Sequence, residues 1–519
     1  MPDSEKENIE KRKEKLAKWL KEPSNLLLIG ILIFSLVVLI YYFNLTKTQT
    51  LWWDEAEYMS TAKHWAFGVP YVINPQRPPI FPFFAFLIYK IGLGDLTIKF
   101  LLSVLPLWLS VIAMYLFIRL LYNKKIALLA AFILSVSWIH LFYSMRFMTD
   151  SIGFLAGLLA FLFFWKGYMN KGKPWHIWIV GFFVAISFLT RLTGILYGAI
   201  IFFFLLFTDR FRFFKNKHIW MIPLVFLLTI SPYLLWSYSY YGNALAFQAG
   251  YPQMIRETLF ATWMFPHVYD YPELVFFILF LVGILTLIPM LLSLDMLILK
   301  DDKRYLNDFF ILFTIIFTLL FFGIFLNAGG ENRWLIMMSI GIFALSAKGI
   351  MLIFDFAKKN LGSILAIIVL LALVSGGAYY ELKHADMIIK NKIPSYSEVQ
   401  SSALWIKENS PPTDSVITLS TTEMTFYTER MVYAYNNFNL SELKKIIQEK
   451  KPAFFTFSPV YETQNLRPDV LPWIQENSKN QNSFLVPVYA TFADAQKTQA
   501  TFVVFRINYA ANQSALSEK

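Results

Sequence analysis

Apolar stretches of about twenty residues recur along this chain, and about twenty is the length a helix needs to cross a hydrocarbon core. A water-soluble fold could not bury them all. Of the 519 residues 57% are apolar and only 16% charged, and 52 Phe, 27 Tyr and 15 Trp add large rings. In lipid every backbone N–H and C=O must find a partner within the chain, and a helix supplies those partners locally. The strict alternation of a membrane barrel is absent. The sequence therefore predicts a polytopic α-helical membrane protein, with spans at 25–43, 98–118, 125–142, 150–166, 176–190, 192–208, 218–238, 273–294, 308–327, 334–353 and 361–380. That is about eleven, in a range of about 10–13, because only Thr190-Arg191 divides 176–190 from 192–208.

The net charge of +11 follows the same pattern. Basic residues collect in alternate short loops: Lys124-Lys125, then Lys166, Lys171 and Lys173, then Arg210, Arg212, Lys215 and Lys217, then Lys300, Lys303 and Arg304, and last Lys358-Lys359. Such a bias marks the cytoplasmic side and gives no reason to invoke nucleic acid. Residues 1–24, with Lys11-Arg12-Lys13 and Lys15, are expected inside, followed by a retained anchor and not a cleaved signal peptide. The loops 44–97 and 143–149, the tight turn near 191, and the loops 239–272 and 328–333 are then outside, and an odd span count puts the C-terminus outside as well. The expected domains are a cytoplasmic segment 1–24, a membrane domain 25–380 carrying the outer loop 44–97, and an extracytoplasmic domain 381–519. The chain has no Cys, which excludes disulfides and thiolate chemistry.

The last part of the chain changes character. Asp414–Leu419 and Ala453–Phe457 read as short strands, Ser397–Glu408 and Leu440–Glu449 as amphipathic helices, and Phe502–Phe505 as a strand closing a sheet. A small α/β domain is expected there.

The residues able to do chemistry gather in the outer loops. Trp52-Trp53-Asp54-Glu55-Ala56-Glu57-Tyr58 follows the first span. If Asp54 opens a helix, it shares a face with Glu57 and lies beside Tyr58. Asp54 could cap that helix and leave solvated carboxylates behind it, or it could act as a base in a partly dry interface. Gln76-Arg77-Pro78-Pro79 sets a planar phosphate-matching cation against a stiff backbone, or makes a structural ion pair. The apolar run Ile80–Ile88 is short, contains Pro82 and is expected to lie along the interface. Arg146 and Asp150, four apart, either pair with each other or serve a site. Arg191 stands alone between two apolar runs and must find water, phosphate or an acid. His267, Tyr269 and Glu273 lie in or beside the long outer loop, without a dense metal-ligand motif. Glu331-Asn332-Arg333-Trp334 forms another outer turn.

In order and placement these motifs resemble those of the GT-C glycosyltransferases that use polyprenyl-phosphate sugars. The nearest groups are the dolichyl-phosphate-mannose protein mannosyltransferases and the bacterial aminoarabinose transferases of lipid A. The resemblance runs from about Trp52 to Asp355 and rests on Asp54-Glu55 with Tyr58, Arg77-Pro78-Pro79, Arg146 to Asp150, and Glu331-Asn332-Arg333-Trp334. It implies a GT-C fold and an inverting transfer of sugar from a dolichyl or undecaprenyl monophosphate to a protein, lipid or surface-glycan acceptor. It implies Asp54, with Glu55, and Asp150 as catalytic acids. Arg77, Arg146, Arg191 and Arg333 would bind the donor phosphate, and Glu57, Tyr58, Tyr269 and Glu331 would line the substrate pocket. No cofactor is required. A divalent metal is left open, with His267 as a candidate ligand; Gln76 stands where the aminoarabinose enzymes carry a metal-binding glutamate. The resemblance further implies a multi-pass cell-membrane protein of prokaryotic type. Two other readings are an oligosaccharyltransferase, whose Trp-Trp-Asp-Tyr-Gly signature is missing from the tail, and a lipid or glycan transporter, which more naturally carries mid-helix charges and paired repeats.

Overall fold

The computed structural model describes residues 5, 14, 17–248, 273–299, 303–322, 332–435, 440–459, 470–480, 482–511 and 516. They form two compact units. One comprises residues 1–47, 75–81 and 95–390, the other residues 48–74, 82–94 and 391–519.

The first unit is helical. Among the described residues seven helical stretches are long and apolar enough to cross a membrane: Pro23–Leu45, Asp95–Leu121, Asp150–Met169, Met221–Tyr241, Leu274–Leu292, Ile336–Leu361 and Ser363–Asn409, the last extending into the second unit. Pro174–Thr190, Leu192–Thr208 and Leu306–Leu320 are apolar helices of shorter length, and Ile80–Lys90 is shorter still. Buried aromatic rings knit the spans together. Phe310 meets Phe117, Phe161, Phe164 and Phe204 with centroids 4.9–6.3 Å apart, so four segments share one ring cluster. Elsewhere in the unit Asp308 accepts from Tyr122 at 2.7 Å and from Lys348 at 2.6 Å, a half-buried carboxylate held by two donors.

The expected continuous span 125–142 is instead two helices, Lys124–Val136 and Trp138–Ser144, bent by 51°. Ser137 is extended (φ −59°, ψ 119°), which breaks the ladder and strips the Trp138 N–H of its intrahelical acceptor. The fully buried Glu381 replaces that acceptor. Its Oε2 accepts from the Trp138 N–H at 2.9 Å and its Oε1 from the Glu273 N–H at 2.8 Å. One carboxylate thus satisfies the starts of two helices, Trp138–Ser144 and Leu274–Leu285.

The second unit contains a five-stranded sheet: β1 (Val416–Thr418), β2 (Val432–Ala434), β3 (Phe454–Phe457), β4 (Leu485–Phe492) and β5 (Ala500–Ile507), in the order β2-β1-β3-β5-β4. β1 pairs parallel with β2 and β3, and β5 pairs antiparallel with β3 and β4. Helices Ser397–Asn409, Thr421–Thr428, Leu440–Lys450 and Val470–Asn477 accompany it. The apolar stripe of Leu440–Lys450, Leu443 and Ile447, packs on Ile417, Phe455 and Phe505 from the sheet. The strands and helices expected in the tail form with ends shifted by a few residues. β2 and β4 carry no clear alternation: β2 has three residues, and Pro487 falls at a register shift in β4.

Candidate functional site

The segment that follows the first long apolar helix folds as the helix Trp53–Phe67, within the second unit. Trp52 is extended and stands at the N-cap. Three residues on, Glu55 Oε2 accepts the Trp52 backbone N–H at 2.6 Å. The helix ends at Gly68, whose φ of 75° is the left-handed cap that glycine adopts without strain. Capping therefore falls to Glu55 and not to Asp54, because only the residue three past the cap can reach back to its N–H. Glu55, Glu57 and Tyr58 are buried, whereas Asp54 is half-buried. Of the three acids, Asp54 is the one that keeps contact with solvent. Glu57 Oε1 accepts from Asn74 Nδ2 at 3.1 Å.

The helix is fastened to residues of the tail domain. The Leu51 N–H donates to the Tyr427 hydroxyl at 2.9 Å, and Thr50 Oγ1 donates to Gln400 Oε1 at 2.6 Å. Lys63 Nζ donates to Glu429 Oε1 at 2.8 Å and lies 4.0 Å from the centre of the Phe426 ring.

The same packing brings up a residue that sequence reasoning missed. Glu423, on Thr421–Thr428, is 2% exposed and accepts from Thr422 Oγ1 at 2.9 Å. Burial pushes its carboxyl from 4.5 up to about 7, the charges of Glu57 and Glu55 push the same way, and hydrogen bonds from its own backbone and Thr422 oppose them. The difference corresponds to about 3 kcal/mol. Between pH 4.5 and about 7 the folded chain holds a proton that the unfolded chain has lost. Stability therefore falls as pH rises through that window. We expect Glu423→Gln to remove this slope, so that its melting temperature exceeds the parent's by a margin that widens from pH 4.5 to 8. Parallel melting curves across the range would refute the buried titration. No local pattern in Thr421-Thr422-Glu423 singles this residue out; only its position beside Glu55 and Glu57 does.

The first unit holds a second cluster. Asp150 opens the helix Asp150–Met169, where the helix dipole favours a carboxylate. Its Oδ1 accepts from Arg191 Nη1, 41 residues on. Asp150 is thus paired with Arg191, a partner not considered from sequence spacing alone. Its Oδ2 is buried without a hydrogen-bond partner among the described residues. Arg191 is extended (φ −151°, ψ 127°) just past the end of Pro174–Thr190, and its guanidinium lies 5.7 Å from the centre of the Trp334 ring. The turn after it closes tightly: a Cβ on Gly194 would come 2.3 Å from the Ser187 carbonyl oxygen, so only glycine fits. Asp150, Arg191, Tyr197, Arg333 and Trp334 line one cavity of about 40 Å³. Tyr197 reaches its wall over Gly157, where a Cβ would lie 2.0 Å from the ring. Among the described residues that line it, two guanidiniums and one carboxylate stand together, a donor set suited to an anion.

Arg333 Nη1 also contacts Met148 Sδ at 3.5 Å. Arg146 is 1% exposed and Arg77 is half-buried, both in the first unit. The structure therefore assembles Asp150, Arg191 and Arg333 in one cluster and Asp54, Glu55, Glu57 and Tyr58 in another. His267, Tyr269 and Glu331 lie outside the described residues. Among the described residues no three of His, Asp and Glu are grouped to hold a metal ion.

Residues 76–236 match the family model described as dolichyl-phosphate-mannose-protein mannosyltransferase. An uncharacterized protein of Aquifex aeolicus (strain VF5) is 25% identical over 209 residues, which is 38% of this chain. The chain spans less than half of that relative, 42% of its length. Among solved structures, ArnT from Cupriavidus metallidurans bound to undecaprenyl phosphate superposes with a TM-score of 0.66 at 14% identity, over 95% of this chain and 99% of that one. The Archaeoglobus fulgidus oligosaccharyltransferase AglB, in complex with an inhibitory peptide and a dolichol-phosphate, gives 0.58 at 12% identity over 83% and 69%. The mycobacterial arabinofuranosyltransferase AftD gives 0.56 at 11% over 94% and 42%. All three are GT-C glycosyltransferases, and this multi-pass membrane protein has their fold.

Proposed function

We propose that this protein is an inverting glycosyltransferase that moves a sugar from a polyprenyl monophosphate to an acceptor hydroxyl or amine outside the cytoplasm. The observation that carries the reading is the cavity that Arg191 and Arg333 line together with the buried acid Asp150, in a membrane fold shared with proteins solved with undecaprenyl phosphate and dolichol-phosphate. A lipid phosphate is an anion at the bilayer edge, and paired guanidiniums are the side chains best shaped for it.

In the proposed reaction the acceptor heteroatom attacks the anomeric carbon. The bond from that carbon to the phosphate oxygen breaks, and its electron pair stays on the departing lipid phosphate. Arg191 and Arg333, with Arg77 and Arg146, take up the charge that develops there. Asp54 orients the acceptor and accepts its proton. Asp150 holds Arg191 in place by the ion pair already formed. Phosphate so neutralised leaves readily, and the step requires no resident metal. In the membrane we assign eleven spans, counting the bent pair Lys124–Val136 with Trp138–Ser144 as one and adding Pro174–Thr190, Leu192–Thr208 and Leu306–Leu320, with the N-terminus cytoplasmic and the tail domain outside.

Purified protein supplied with radiolabelled undecaprenyl- and dolichyl-phosphate sugars should release or transfer the label. Intact donor after prolonged incubation with every carrier would exclude the enzyme reading. Impermeant labelling of Cys introduced at Gln76 should succeed from outside the cell; labelling only after permeabilisation would overturn the topology.

A further inference from the structure

A second cavity, of about 220 Å³, lies wholly within the second unit. Its walls include Trp53, Glu57, Tyr71, Asn74, Thr422 and Thr425, from the segment that follows the first long apolar helix and from Thr421–Thr428. Glu57 is 5% exposed, with its carboxylate oriented by Asn74 Nδ2 at 3.1 Å. The Thr422 hydroxyl donates to Glu423 and the Thr425 hydroxyl to the Thr421 carbonyl, so each hydroxyl oxygen still has lone pairs to offer. Trp53 is exposed and Tyr71 half-buried, and both rings form part of the cavity wall. Among the described residues no Lys or Arg lines this cavity, and the charges of Glu57 and Glu55 both act on the Glu423 carboxyl. A carboxylate on the wall is a poor match for phosphates and carboxylates.

A carboxylate, an amide, hydroxyls and aromatic faces around a ring-sized space form a recognition set for a neutral polyhydroxyl ring. The polar groups accept from or donate to its hydroxyls, and the aromatic rings cover its C–H face. We infer that this cavity holds a neutral sugar ring, and that the acceptor of the transfer is a glycan. The assignment of that ring to the acceptor rests on the transferase reading. The donor lipid, an anion, belongs to the arginine-lined cavity of the first unit.

The test is saturation-transfer NMR on the full chain in a detergent without a sugar headgroup. The probes are methyl glucoside, methyl galactoside and methyl mannoside, with hexose 6-phosphate and a serine-containing tripeptide as controls. At least one neutral hexoside should bind and the two controls should not. Tyr71→Ala should weaken hexoside binding by roughly fivefold through loss of ring contact. Glu57→Gln should weaken it by a similar factor while still accepting the Asn74 bond, so its fold is kept. Absence of signal for all three hexosides, equal binding in both variants, or preference for the phosphate or the peptide would overturn the inference. Hexoside binding without any use of lipid donors would remove the acceptor role but leave the sugar site standing. Donor turnover without hexoside binding would do the reverse.

Discussion

Asp54→Asn should lower sugar transfer by about 10²–10⁴-fold while the donor lipid still binds. Asparagine keeps the shape of the side chain and its place in the first turn of Trp53–Phe67, but it cannot accept a proton. The helix itself should not suffer, because its start is secured by Glu55 through the Trp52 N–H and not by Asp54. Glu55→Gln is the internal control. It can still accept that N–H, so it should retain most of the turnover. Glu55 is buried, whereas Asp54 is the acid of this turn that reaches solvent. Single-turnover transfer and donor binding on the same preparations would separate the effects. Undiminished transfer by Asp54→Asn would end its role as a base, and equal losses in both variants would point to the turn as a whole.

Arg191→Ala should cost both stability and donor affinity, for separable reasons. The Asp150 carboxylate is 2% exposed, and removing its partner strands a buried charge at a cost of about 3 kcal/mol. The double variant Asp150→Ala/Arg191→Ala removes both charges and should regain much of the lost melting temperature. It should not regain donor affinity, because the guanidinium that meets the phosphate is still absent. Arg191→Lys should fall between, since an ammonium keeps the charge and loses the planar fork. The decisive comparison is undecaprenyl phosphate binding against melting temperature for the three variants. Donor binding that recovers with stability in the double variant would reduce Arg191 to a structural residue.

The candidate sites were unevenly readable before the fold was known. The acid-rich turn at 52–58 was evident, since its residues are neighbours in sequence and a helix start has a local signature. The choice among its acids was not, because it depends on which ones the tail domain covers. The pairing of Asp150 is a clearer case. Arg146 lies four residues away and Arg191 lies 41 residues away, yet Arg191 supplies the bond. An interhelical turn closed by Gly194 against Ser187 delivers it.

Hydropathy, loop charge and short-range helix signals by themselves determined that this chain is a multi-pass helical membrane protein with a small sheet-bearing tail. Those properties are written in residues within one or two turns of each other, where local preference and transfer energy act additively. The break at Ser137 braced by Glu381, the company of Glu423 with Glu55 and Glu57, and the bond between Leu51 and Tyr427, 376 residues apart, were decided only by tertiary packing. A buried charge or an orphaned N–H takes whichever partner the packed segments bring within about 3 Å, and no local window of sequence contains that distance.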